Sequence, residues 1–270
     1  MDRPAAQFPP GFFDRFDEQP DDLFYEPLRL VSHIDDDAIA AVGGLYERLG
    51  LGGDVLDLMS SWISHFRSPP ASLTVLGMNA LELTRNPMAT ARVVHDLNAN
   101  PRLPFEDAVF DAVTCCVSVD YLVRPVDVFV DVARVLRAGG QFVITFSNRC
   151  FPTKAIKGWL ANDEMGRLAI VGAYFEQSGA FQPPTMAHCN PGTAGDPLYA
   201  VWAATSTLPS TCGSGAVDPP PPEDTGRQHV PHRVALDDGV RIAPALAGAG
   251  GGVDDGGGTE REDGRQAAQR

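Results

Sequence analysis

Several features common in nucleotide-binding and metal-binding proteins are missing from this chain of 270 residues. After the apolar run Val55-Leu56-Asp57-Leu58, where such an α/β protein usually carries a glycine-rich turn, the sequence reads Met59-Ser60-Ser61-Trp62. The absence of G-x-G-x-x-G removes the usual basis for a nicotinamide-dependent oxidoreductase. Five cysteines, Cys115, Cys116, Cys150, Cys189 and Cys212, form no C-x-x-C pair. With His33, His65 and His95 they show no zinc-ligand spacing, so no metal site is expected and the thiols read as reduced. No stretch approaches the roughly 18 apolar residues of a membrane span. The start, with Asp2, Arg3 and several prolines, lacks the basic and then apolar pattern of a secretory signal. A soluble, cytoplasmic protein without a membrane partner is the expectation. Positive charge is also scarce: 21 Lys and Arg stand against 35 Asp and Glu, a net charge of −14. No basic patch offsets this, and nucleic acid is not expected as a partner.

What is present is an alternation of short apolar strands with helices. Residues 54–58 read as a buried strand, and 61–67 as a short helix stopped by Pro69 and Pro70. S-L-T-V-L-G-M-N is a second strand, 81–91 a helix interrupted near Pro87, and A-R-V-V-H-D-L-N a third strand. A fourth strand precedes V-S-V-D-Y-L, a helix covers 126–136, and Q-F-V-I-T-F-S-N is the fifth strand, with Gly139 and Gly140 before it. Helical segments follow at A-I-K-G-W-L and E-M-G-R-L-A-I-V-G-A-Y-F, and 198–203 is a last strand. This spacing implies a doubly wound α/β fold with a mostly parallel sheet. Upstream, residues 1–37 form an irregular N-terminal arm or lid with Tyr25, Arg29 and His33, and Asp36 or Asp37 is placed to cap a helix over 38–49. The body spans 38–203. Residues 204–270, with P-P-P-P-E-D and G-A-G-G-G-V-D-D-G-G-G, are low in complexity and too poor in apolar side chains to pack, so a disordered tail is expected. Oligomeric state stays open.

Strand ends carry the chemistry, because ligands of open parallel sheets bind beyond their carboxyl edge. Asp57 follows the first strand, Gly77-Met78-Asn79 the second and Asp96-Leu97-Asn98 the third. Together with L-P-F-E-D-A-V-F-D-A-V and R-V-L-R-A-G-G-Q-F-V-I-T-F, these resemble the class I S-adenosylmethionine-dependent methyltransferases, close to the type 11 group, over roughly residues 50–147. D-L-M-S-S-W-I-S-H, D-L-N, S-V-D-Y-L and F-S-N-R-C-F-P-T-K-A further resemble a branch of that superfamily without the glycine-rich turn.

The resemblance implies S-adenosyl-L-methionine as cofactor and a small molecule as methyl acceptor. Asp57 would orient the turn or meet the cofactor's ammonium group, and Met59 and Ser60 would line it, with the Ser60 and Ser61 hydroxyls reaching the methionyl carboxylate at a helix N-terminus. Asn79 stands where the family has an acid for the ribose hydroxyls, beside Gly77, while Asp96 with Leu97 and Asn98 would read the adenine edge. Val117 and Ser118 would face the cofactor from below. Catalytic candidates are Asp120 and Tyr121 near the transferred methyl, and a general base is sought among Asp120, His33 and His65. Arg149 and Lys154, with Asn148, are placed to clamp an acidic or polar group of the substrate. The competing expectation is a non-catalytic binding or scaffold protein whose cleft is filled by Met59 and Ser60.

Overall fold

The computed structural model describes residues 8–206. The expectation of a disordered tail lies, from residue 207 on, outside the described residues, as do residues 1–7. Strand β1 (Asp54–Leu58) sits at the centre of a seven-stranded sheet between β2 (Ser72–Gly77) and β4 (Phe110–Cys116). Strand β3 (Ala91–Val94) extends the sheet beyond β2, and β5 (Leu136–Phe146) extends it beyond β4, all parallel. The far edge is formed by β7 (Tyr199–Ala204), antiparallel to β5, and β6 (Thr185–His188), antiparallel to β7. The resulting order, β3-β2-β1-β4-β5-β7-β6, reverses direction at β1/β4. That reversal is the topological switch point of a doubly wound, Rossmann-like sheet.

Both faces of the sheet are covered, which is why its central strands read as almost continuous apolar runs. Val55, Leu73, Val75, Ala112 and Val143 pack on one side under helix α2 (Asp36–Arg48), through Val42, Leu45 and Tyr46. Leu56, Leu58, Val113, Phe142 and Ile144 pack on the other under α4 (Pro125–Val135) and α6 (Glu164–Ser178). The Phe129 ring meets Phe142 at 4.8 Å and Phe175 at 4.9 Å between ring centres, edge to face. Each such buried ring contributes on the order of 2 kcal/mol.

Several element boundaries differ from the sequence reading. Asp35 caps α2, accepting from the Ala38 N–H at 2.9 Å, so Asp36 and Asp37 occupy the first turn, where carboxylates favour the helix dipole. Helix α3 (Ala80–Arg85) stops well short of 91, because Asn86 precedes Pro87 and takes the extended conformation that proline imposes on its predecessor. No helix forms over residues 61–67. The edge strand β6 follows Pro183 and Pro184 and is too short to show a pattern.

The arm begins with an aromatic plug and continues into a buried charge cluster. Phe8 and Phe13 lie against Tyr174, and Phe12 lies so close to Gly158, in α5 (Lys157–Leu160), that a Cβ there would collide with its ring. Farther on, Arg15 donates two hydrogen bonds to Asp21 at 2.7 and 2.9 Å, at the start of the single turn α1 (Asp21–Tyr25). Lys154 Nζ reaches Asp21 at 3.1 Å, Asp17 at 3.3 Å and the Gln19 carbonyl at 2.7 Å. Arg15, Asp21 and Lys154 are all buried. Charges taken out of water in this way are tolerable only with one another.

Behind the arm, Asp120 is buried in the 3-10 turn Val119–Tyr121 after β4, and its Oδ2 has no hydrogen-bond partner among the described residues. Burial pushes its carboxyl up from the ordinary 3.8 to about 7, against the pull of Arg167 and Tyr121.

Two stability outcomes follow from these groups. Lys154→Ala leaves part of the Asp17 and Asp21 charge unmatched and is expected to lower the unfolding free energy by about 3 kcal/mol in urea titration. Asp120 keeps its proton in the folded chain where the unfolded chain has lost it. Its stabilising contribution is therefore complete below about pH 4 and is lost as pH rises to about 7. Relative to the native chain, Asp120→Asn should gain about 2 kcal/mol between pH 5 and pH 8. A pH-independent difference between the two chains would contradict this assignment.

Candidate functional site

The turn after β1 is organised by Asp57. This buried carboxylate accepts from Ser60 Oγ and Ser64 Oγ at 2.7 Å each and from Thr114 Oγ1 at 2.8 Å. Burial raises its pKa against the pull of these three hydroxyls and of His65. Asn86 donates to Ser64 Oγ at 2.9 Å and to the Ser61 carbonyl at 3.3 Å. Side chains thus tie this segment down, Asp57 through the Ser60 and Ser64 hydroxyls and Asn86 through Ser64 and the Ser61 carbonyl, where a short helix was expected. The turn consequently offers no helix N-terminus, and Ser61 Oγ donates instead to Glu82 Oε2 at 2.6 Å. Asp57 itself lies beneath the turn.

Two backbone features mark the switch point. Ser60 N–H donates to the Leu76 carbonyl at 2.8 Å, drawing the turn over the end of β2. The Ser60 carbonyl then passes so near Gly77 that a Cβ would collide with it. Met59 has φ 51° and Val117, the residue after β4, has φ 46°. For side chains of this size, and above all for a β-branched one, such values are strained, and strain of this kind concentrates at ligand sites.

Between these turns and the arm lies a cavity of about 550 Å³, within the range of small-molecule and cofactor sites. It brings together Met59, Ser60, Gly77, Asn79, Asp96, Leu97, Asn98, Val117, Ser118 and Tyr121 from the strand ends, with His33 from the arm and Arg149 from the loop after β5. Asp57, Asp120 and Lys154 do not line it. Lys154 is sealed in the charge cluster, and Arg149 is paired with Asp196 at 2.9 Å, so the expected two-residue clamp is not assembled.

The polar residues of the cavity differ in what they have left to offer. Asn79 Oδ1 accepts from the N–H groups of Leu81 and Glu82, capping α3, while Nδ2 donates to the Tyr25 and Glu26 carbonyls at 2.9 and 3.1 Å. Two donors and two lone pairs are all an amide has, so Asn79 is saturated. Asn98 is engaged as well: Nδ2 donates to Asp21 and to the Tyr121 carbonyl, Oδ1 accepts from Val123 N–H, and its own N–H donates to Asp96 Oδ1. Tyr121 Oη accepts from Phe151 N–H at 2.8 Å, and burial raises its pKa well above the ordinary value. By contrast, Asp96 holds Asn98 and Ala99 through Oδ1 alone. Its Oδ2 makes no hydrogen bond among the described residues.

His33 is exposed at the cavity, with its ring edge on Phe151, 5.2 Å between centres. Desolvation lowers its pKa, opposed by the charge of Glu82, so it is neutral at pH 7 and able to accept a proton. His65 lies in a side recess of about 60 Å³ beneath the turn, with Nδ1 unpartnered among the described residues.

The sequence reading singled out Arg29 and Tyr25 only as parts of the arm, and it did not identify Glu82, Phe151 or Asp196 as lining residues. Glu82 ties Arg29 N–H, at 2.7 Å, to Ser61 and so joins arm to turn. Its place depends on where Asn79 starts α3, which no local pattern around Glu82 shows.

Residues 71–144 match the family described as a methyltransferase domain. No curated protein is similar enough to this chain to count as a match. Among solved structures, a SAM-dependent methyltransferase from Aquifex aeolicus is 12% identical, with 63% of this chain and 92% of that one covered at a TM-score of 0.46. An S-adenosylmethionine-dependent methyltransferase from Mesorhizobium loti is 17% identical, covering 61% and 97%, at 0.42. The geranyl diphosphate C-methyltransferase of Streptomyces coelicolor A3(2), in complex with S-adenosyl-L-homocysteine, is 14% identical, covering 62% and 77%, at 0.41. The match over residues 71–144, together with the Rossmann-like strand order, supports a methyltransferase domain of the class I S-adenosylmethionine-dependent type in this part of the chain.

Proposed function

We propose that the cavity binds S-adenosyl-L-methionine and that the chain transfers a methyl group to a small-molecule acceptor admitted beneath the arm. One observation carries this reading above the others: Asp96 presents an unspent carboxylate oxygen to a cavity at the switch point. An acceptor group there suits the exocyclic amine of an adenine, with buried Leu97 offering the apolar contact beside it. The bound cofactor would supply an electrophilic methyl group on a sulfonium. Met59, Gly77 and Val117 hold the backbone close on its two sides. His33, neutral and in the cavity, takes the proton that the acceptor loses. Tyr121 serves to position Phe151 rather than as a base. The arm acts as a lid that Asn79 and Asn98 latch, keeping water from the reacting atoms.

The saturation of Asn79 and the missing helix N-terminus favour the second reading, a non-catalytic binding protein of this fold. Calorimetry with S-adenosyl-L-homocysteine separates the two: binding is expected, and no heat of binding would leave only the second reading. Asp96→Asn keeps the acceptor for Asn98 and Ala99 but puts an amide where the free oxygen stands. It should weaken that binding about tenfold or more at an unchanged melting temperature. Asn79→Asp sets a carboxylate against the Tyr25 and Glu26 carbonyls. The expected outcome is a loss of about 1–3 kcal/mol of stability and faster proteolysis of the arm, with no gain in affinity.

A further inference from the structure

We propose that the acceptor handled by this site is a small organic acid whose carboxylate binds Arg29, an inference that rests on the methyltransferase reading above. Two arginines line the cavity, and they are in different states. Arg149 already has its carboxylate, Asp196, at 2.9 Å. Arg29 has no ion pair among the described residues, and its side-chain hydrogen bond is a long one, 3.4 Å to the Pro27 carbonyl. The chain nevertheless holds this side chain in place. Its backbone N–H is fixed by Glu82 at 2.7 Å, and its guanidinium carbon lies 4.6 Å from the centre of the Phe24 ring and 5.8 Å from that of Phe151.

A guanidinium resting on aromatic faces is oriented without spending its N–H donors, because the ring quadrupole attracts the cation and leaves the planar fork unused. A planar, singly charged anion matches that fork with two parallel hydrogen bonds. The other charged groups on the cavity wall argue for a single charge. Asp21, Asp35, Glu82, Asp96 and Asp196 also line it, Asp21 and Asp196 being paired with Arg15 and Arg149, so a doubly charged phosphate would meet more repulsion than one guanidinium offsets. Phe151, Tyr25 and Tyr121 supply flat apolar surface around the same space, which suits an acid with an arene or similar planar body. His33, edge-on to Phe151, stands on the same wall as Arg29 and places the proton acceptor near the anchored molecule. The acidic-group role expected of Arg149 and Lys154 therefore passes to Arg29, which among the described residues has no carboxylate partner.

The probes are benzoate, its neutral isostere benzamide, and phenyl phosphate, titrated by ligand-observed NMR into the full chain with and without S-adenosyl-L-homocysteine. Benzoate is expected to bind at least about tenfold more tightly than benzamide, and Arg29→Gln to abolish that preference. Arg29→Lys keeps the charge without the fork and should retain an intermediate preference. Melting curves of both variants show whether the arm is still seated, since the Glu82 contact is to backbone and survives either change. Homocysteine-cofactor affinity should be the same in all three chains. Equal binding of benzoate and benzamide to the native chain, or an unchanged preference in Arg29→Gln, overturns the proposal. So does tighter binding of phenyl phosphate, or a loss of S-adenosyl-L-homocysteine affinity in Arg29→Gln, which would assign the arginine to the cofactor. If the homocysteine cofactor fails to bind while the benzoate preference and its dependence on Arg29 hold, the methyl-transfer reading falls and the acid site stands.

Discussion

A single buried carboxylate sets the shape of the sheet's carboxyl edge. Asp57 is taken out of water at the end of the central strand, and three hydroxyls, from Ser60, Ser64 and Thr114, make that burial tolerable. Two of those hydroxyls belong to the segment that follows β1, so the segment is pulled back over its own strand. It cannot at the same time wind into a helix, and the turn is pressed onto β2, where only a residue without a side chain fits under the Ser60 carbonyl. Gly77 and the strained Met59 are consequences of that closure.

A second constraint is the matching of charge beneath the arm. Arg15, Asp21 and Lys154 are buried together, and each makes the burial of the others possible. Asp21 also accepts from Asn98, so the cluster is joined to the end of β3. Asn79 is joined to the arm in the same way through the Tyr25 and Glu26 carbonyls. Two amides at cavity-lining strand ends are thereby committed to holding the chain in place. The polar capacity that remains in the cavity includes an acceptor at Asp96 and a donor at Arg29.

The parallel core was legible because burial on both faces of a sheet leaves no alternative to apolar runs such as V-L-D-L and S-L-T-V-L-G, and their order fixes which ends converge. The positions of Gly77, Asp96, Leu97 and Val117 at the cavity follow from that order alone. Other residues misled for a definite reason. Lys154 follows the fifth strand by only eight positions and is cationic, yet it turns away because the arm brings Asp17 and Asp21 to it from far upstream in the chain. Asp120 adjoins a cavity residue and is directed to the other side of the same turn, toward α6. The helix expected over 61–67 failed because its competitor was a side chain seven residues before Ser64, which a local pattern does not register.

The sequence by itself determined the sheet, its switch point and the set of strand ends from which a site must be built, since these depend on hydrophobic periodicity and chain order. Only the tertiary structure decided which polar side chains at those ends are free. A donor or acceptor is spent or unspent according to what stands opposite it, and for Asn79, Asn98, Arg149 and Lys154 the partner comes from a segment about 45 to 140 residues away. Arg29 and Asp96 stand out because, among the described residues, the arginine has found no carboxylate and the aspartate keeps one oxygen unspent.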